Sequence, residues 1–168
     1  MKYLLYLALV ILLVPFQAMM FNRVTIFGVH ADLVLIAVCL IGLQAGEFDA
    51  ILIGIALGFT QDLFSGSVHW ENLWLKPLLG LIASLASRNV INLTPTFALV
   101  LLLALSIFSG WVTFLLKSLQ GPGVDFFAAA QGIILPQACY DAVLGVVLLK
   151  LIQLFTPARH QFPTASYE

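Results

Sequence analysis

The stretch GIALGFTQDLFSGSVHW, residues 54–70, decides how the chain is interpreted. It places one carboxylate, Asp62, at the end of an apolar run whose composition suits the interior of a membrane. An ionised Asp near the middle of a membrane helix costs roughly 2.5–3.5 kcal/mol on insertion scales, so it needs a partner, water or a function. The surrounding sequence has to indicate whether this carboxylate serves chemistry, transport or assembly.

Small residues precede Asp62 at helical spacing. Gly54, Gly58 and Asp62 lie at i, i+4 and i+8, so they share one face of a helix, and Gly66 follows four residues later, just beyond it. Two glycines four residues apart let another backbone approach closely. The stripe predicts a helix-packing seam, filled either by another helix of this chain or by a partner protein.

Asp62 is predicted to point into the same seam. Its candidate partners are Lys76, near the start of the next span, and the hydroxyls of Ser65 and Ser67. In this interpretation the carboxylate is a structural tie across the loop between the third and fourth spans.

The composition predicts an integral membrane protein. Hydrophobic residues make up 62% of the 168 positions and charged residues only 9%, against about 25% in a soluble domain. The seven basic residues are scattered singly, which excludes a nucleic-acid-binding patch. Cys39 and Cys139 both lie in apolar stretches and are predicted to be packing residues, not a disulfide or a metal site.

Six apolar segments are long enough to span a bilayer, which needs about 17–25 residues. They are residues 3–21, 30–46, 48–64, 71–88, 95–116 and 136–155. Residues 1–155 are therefore predicted to form a single polytopic domain, whose first apolar run stays in place and is not cleaved, followed by a polar tail at 156–168. Residues 126–135 precede the last span either as an interfacial or re-entrant helix or as the start of one long kinked helix.

The basic residues that flank the spans predict the orientation. Lys2, Arg88, Lys150 and Arg159 would lie on one side and only two basic residues, at positions 23 and 117, on the other. The side with more Lys and Arg is cytoplasmic, so both termini are predicted to be cytoplasmic.

Two further carboxylates lie in apolar surroundings. Asp32 opens the second span and is predicted to cap its N-terminus. Asp141 lies deeper in the last span, and Gln137, Tyr140 and Asp141 occupy adjacent turns. These three side chains are predicted to form a polar cluster that either hydrogen-bonds within the bundle or faces a partner helix.

The sequence predicts no catalytic, cofactor or metal site. Phosphotransferases of the CDP-alcohol class need several carboxylates on neighbouring turns, whereas Asp62 stands alone on its helix. An intramembrane serine protease needs a base beside its nucleophile, and Ser109 has none, because the three histidines occur at span ends or in the tail. No two His or Cys residues have zinc-ligand spacing.

Three stretches resemble the MreD family, the small polytopic subunit of the bacterial rod-shape system. ADLVLIAVCLIGLQAG (31–46) is similar to the start of the family's second span, GIALGFTQDLFSGS (54–67) to its Gly-x-x-x-Gly-x-x-x-Asp-Leu-x-Ser-Gly stretch, and ILPQACYDAVLG (134–145) to its last span. Ala31 stands where the family often has Pro, and Asp141 where Asn is common.

The resemblance implies an all-α integral membrane protein of about six transmembrane helices, similar to the S-component fold of energy-coupling-factor transporters. It implies a non-enzymatic scaffold in the cytoplasmic (inner) membrane, in contact with membrane lipid and without a cofactor. Its partners would be a bitopic MreC-like protein, the MreB filament, and RodA with a class B penicillin-binding protein. The alternative is a substrate-binding S-component of a vitamin transporter, which predicts an external pocket with several polar groups.

Overall fold

The computed structural model of the chain describes residues 2–17, 19, 29–66, 70–88, 94–119 and 126–155. Helix accounts for 93% of these residues, and no strand occurs among them. The helices are α1 Lys2–Phe16, α2 Leu33–Ala45, α3 Glu47–Ser65, α4 Glu71–Arg88, α5 Pro95–Ser118, α6 Phe126–Ala129 and α7 Leu135–Phe155. The predicted tail at 156–168, and Arg23, Ser67 and His69, lie outside the described residues.

Three helices in the described part of the chain are long and apolar enough to cross a membrane. They are Glu47–Ser65, Pro95–Ser118 and Phe126–Leu154. The apolar helix α2 has 13 residues and is about 20 Å long, shorter than the hydrocarbon core of about 30 Å. This helical, strongly apolar architecture fits a membrane protein.

Helix α2 lies at the centre of the bundle, where α1, α3, α4, α5 and α7 all contact it. Its residues belong to two apolar clusters, one shared with α4, α5 and α7 and the other with α1 and α3. A helix that is apolar on all sides is stable when it is buried on all sides. The position of α2 therefore explains why its sequence has no polar stripe.

Gly46 alone connects α2 to α3, so the two helices are joined by a tight turn. Its φ of 96° lies in the region that residues with a Cβ rarely adopt. Helices α3 and α4 then pack antiparallel, because Asp62 near the end of α3 contacts Leu73 near the start of α4. At the opposite end of this helix pair, Glu47 forms an exposed ion pair with Arg88.

Residues 126–155 form one unbroken helical segment, the second of the two alternatives predicted for residues 126–135. A π-helical turn, Ala130–Ile134, joins α6 to α7. Pro136 in the first turn of α7 has no N–H and its ring would crowd the carbonyl of Gly132 in a regular α-helix. A π turn is one of the local adjustments that let a membrane helix continue past a proline.

Candidate functional site

A cavity of about 530 Å³ opens among the helices at the end of the bundle where α2 and α4 begin and α3 and α5 end. Amide side chains line it from four segments: Gln17, Gln61, Asn72 and Gln137. Hydroxyl groups of α5 add Ser106, Ser109 and Thr113, which lie at i, i+3 and i+7 and share one helix face. Its volume falls within the range of about 300–1,000 Å³ typical of small-molecule pockets.

Asp32, which lines this cavity, forms an ion pair with Lys76. Asp32 also caps α2, since its carboxylate accepts a hydrogen bond from the Leu35 N–H at 3.0 Å, which confirms the predicted N-cap. Lys76 is fully buried in α4, where its ammonium group bonds to the second carboxylate oxygen of Asp32. The pair joins the start of α2 to α4.

Asp141 extends this pair into a network that connects four helices. Its carboxyl group accepts the Asp32 N–H at 2.7 Å and contacts the Ser106 hydroxyl at 2.6 Å. Asp141 is fully buried in α7, and Ser106 lies on α5. Because buried charged groups are tolerated only when they are paired and hydrogen-bonded, the network fixes the relative positions of α2, α4, α5 and α7.

Asp62 caps α4, although it belongs to α3. Its carboxylate accepts the Asn72 amide N–H at 2.7 Å and the Leu73 backbone N–H at 2.9 Å. Trp70, which precedes α4, has no side-chain acceptor, so the preceding helix satisfies an N–H group at this helix terminus.

The pairing predicted between Asp62 and Lys76 is wrong, because Lys76 bonds to Asp32. Ser65 donates to the Asp62 backbone carbonyl at 3.3 Å, not to its carboxylate. Asp62 was also predicted to be a structural tie across the loop after its helix. Its two observed contacts agree with this role, because they join α3 to α4.

The glycine seam on α3 is filled by α4. A Cβ added to Gly54 would lie 2.5 Å from the Pro77 Cα, and one added to Gly58 would overlap the backbone carbonyl of Asn72. The seam is therefore a contact within the chain. Gly66 takes no part in it: with φ 63° it ends α3 as a left-handed cap, and nothing lies within 4 Å of the position of its missing Cβ.

Two of the three polar residues predicted to cluster on the last span, Gln137 and Asp141, contribute to this site. Gln137 lines the cavity and Asp141 lies in the buried network. Tyr140 is half-buried and is absent from the cavity lining, and among the described residues no hydrogen bond joins it to Gln137 or Asp141. Gln137 and Asp141 lie four residues apart on one face of α7, and Asp32 and Ser106, the hydrogen-bond partners of Asp141, also line the cavity, so only Tyr140 falls outside the predicted cluster.

Lys76 was identified from the sequence as a cation that needs a carboxylate, but it was paired with Asp62 and not with Asp32. Several other site residues were missed. The polar spacing of Ser106, Ser109 and Thr113 in α5 was a signal that could have found them. No sequence pattern indicated a role for Gln61. Its side-chain oxygen is buried and, among the described residues, has no hydrogen-bond partner.

No group of three or more His, Cys, Asp or Glu side chains in the described ranges is arranged to hold a metal ion. Comparisons of the chain with protein-family models, with curated proteins and with solved structures find no match.

Proposed function

We propose that this chain is a non-enzymatic scaffold subunit of the bacterial cell-elongation machinery, of the MreD type. It would bind an MreC-like bitopic protein and help to link the MreB filament to RodA and its class B penicillin-binding protein. It would lie in the cytoplasmic membrane with both termini cytoplasmic.

One observation carries the proposal. Each of the three stretches that resemble MreD supplies one carboxylate that is buried or partly buried, and all three hold helices together near the same end of the bundle. Asp32 joins α2 to α4, Asp62 joins α3 to α4, and Asp141 joins α7 to α5 and α2. Carboxylates engaged in helix capping and ion pairing suit a subunit whose role is to present a fixed surface to its partners.

The same proposal includes six membrane crossings and the S-component fold. Helices α1, α2 and α4 would cross in addition to the three long apolar segments. The short α2 is compatible with a crossing because its buried residues, between Val34 and Leu43, are surrounded by other helices of the bundle. Irregular backbone at membrane depth is tolerated where protein surrounds it. The buried Lys76 does not prevent α4 from crossing, since Asp32 pairs with it.

Depletion of the protein in its rod-shaped host tests the scaffold. We expect depleted cells to become wide or round, because loss of the scaffold uncouples wall synthesis from the MreB filament. Re-expression of the wild-type chain should restore rods. Normal rods after depletion has been verified by immunoblotting would contradict the proposal.

The polar cavity favours a second candidate function, the substrate-binding subunit of a vitamin transporter. Such a subunit requires a pocket with convergent polar groups at the external side. Under the predicted orientation the cavity opens to that side. In this case the growth defect of depleted cells would be relieved by a supplied vitamin, and the cells would keep their shape.

A further inference from the structure

The cavity contains hydrogen-bonding groups that the fold itself does not use. Oε1 of Gln61 is buried and has no partner within the described part of the chain. Ser109 and Thr113 line the same cavity, and no hydrogen bond from either side chain to another described residue is present. Because a buried polar atom without a partner costs about 1–3 kcal/mol, Oε1 of Gln61 indicates an occupant that supplies the missing bond, and the two hydroxyls are free to bond to the same occupant.

The charges around the cavity offset one another. Asp32 is neutralised by Lys76, and the other two acidic or basic side chains of the described lining, Glu71 and Lys117, are of opposite sign. A site for phosphate or another anion would carry an excess of positive charge, which the described lining of this cavity lacks. The other polar side chains of the described lining are amides, hydroxyls and the imidazole of His30, all of which can hydrogen-bond to uncharged polar groups.

We propose that the cavity is a binding site for an uncharged group with several hydroxyl functions, such as a sugar. The sugar can be the headgroup of a glycolipid or a free saccharide. Gln61 accepts one of its hydroxyl hydrogens, and Ser109 and Thr113 supply further hydrogen bonds. The inference is independent of the scaffold proposal, since it concerns what occupies the cavity and not which proteins the chain binds.

A tryptophan close to the cavity provides the signal for a binding test. Trp111 packs against Phe126, with ring centroids 4.6 Å apart, and against Phe114, which lines the cavity. In the W70F/W74F background, Trp111 is the single tryptophan. This protein would be reconstituted in phosphatidylcholine nanodiscs and its fluorescence followed while maltose is added, or while galactosyl diacylglycerol replaces part of the phosphatidylcholine.

We expect a saturable fluorescence change. Response to maltose indicates a free saccharide, and response to the galactolipid alone indicates a headgroup; phosphatidylglycerol should give no response. Gln61→Met, which removes the unpaired acceptor, should weaken binding about threefold to tenfold, the effect of one neutral hydrogen bond. Gln44→Met, the same change at an exposed residue near the end of α2, should not alter it.

A second variant covers the case in which Gln61→Met reduces folding. Thr113→Phe fills part of the cavity from α5 and should abolish the response, whereas Leu115→Phe on the exposed side of the same helix should not. Helical content measured by circular dichroism confirms folding of each variant. No response to either sugar probe, or a response unchanged in both Gln61→Met and Thr113→Phe, would overturn the proposal.

Discussion

Asp62 belongs to α3 but caps the N-terminus of α4. In most helices this role belongs to the residue just before the first turn. Its carboxylate accepts two N–H groups at the start of α4, one from a side chain and one from the backbone. Since Trp70 cannot provide this cap, the stability of α4 depends on a residue of α3. This answers why a carboxylate is present at the end of an apolar helix.

Replacing Asp62 separates hydrogen bonding from charge. Asp62→Asn keeps an acceptor for the Leu73 N–H, so we expect it to lower the free energy of unfolding by no more than about 1 kcal/mol. Asp62→Leu leaves two partly buried N–H groups without their acceptor and should cost about 1–3 kcal/mol more. Denaturation in mixed micelles measures both. Equal loss of function in the two variants, at unchanged membrane levels, would instead indicate that the charge itself is required.

The Asp32 and Lys76 pair gives a second prediction at this scale. Lys76→Met leaves a buried carboxylate without its cation, and breaking a buried pair in this way costs about 3–5 kcal/mol. Asp32→Asn keeps a good N-cap residue and removes the charge. We therefore expect the double variant to be more stable than Lys76→Met alone in the same denaturation assay. Destabilisation equal to the sum of the two single changes would contradict the ion pair.

At the scale of elements, α3 and α4 depend on close backbone contact. A Cβ at Gly58 would overlap the carbonyl of Asn72, and backbone atoms cannot move aside as a flexible side chain can. Gly58→Ala should therefore lower the free energy of unfolding by about 1–3 kcal/mol. Gly132→Ala is the matched control, because nothing lies within 4 Å of its added Cβ. Equal stability of the two variants would show that the seam is not tightly packed.

The elements themselves were largely predictable from the sequence. Predicted spans 48–64, 71–88 and 95–116 correspond closely to α3, α4 and α5, because Gly, Pro and polar residues interrupt the apolar runs at their ends. The second span was predicted too long, since Asp32 acts as a cap outside α2 and Gly46 forms the turn after it. The cap at Asp32 was predictable because capping is local in sequence.

The contacts between distant elements were not predictable. Asp32 and Lys76 are 44 residues apart, and Asp141 contacts Asp32 across 109 residues. Only the packing of α2 between α4 and α7 brings these side chains together. Local spacing showed which polar residues needed partners, but the choice of partner depends on the order of helices around α2.

For the whole molecule, the buried carboxylates and the cavity lie at the same end of the bundle. This end combines a rigid framework of paired charges with a chamber that has free hydrogen-bonding groups. This end of the bundle would have a different role in a scaffold and in a transport subunit. The scaffold holds other membrane proteins in place, whereas the transport subunit delivers a ligand to an energising complex.

Purification from native membranes tests the central claim most directly. The tagged chain would be solubilised in a mild detergent, captured at its endogenous level, and its bound proteins identified by mass spectrometry against a mock-tagged strain. We predict a stoichiometric MreC-like protein with a single transmembrane segment, together with RodA and its penicillin-binding protein. Recovery instead of an energising membrane subunit and two ATPases, with no MreC-like protein, would contradict the scaffold account.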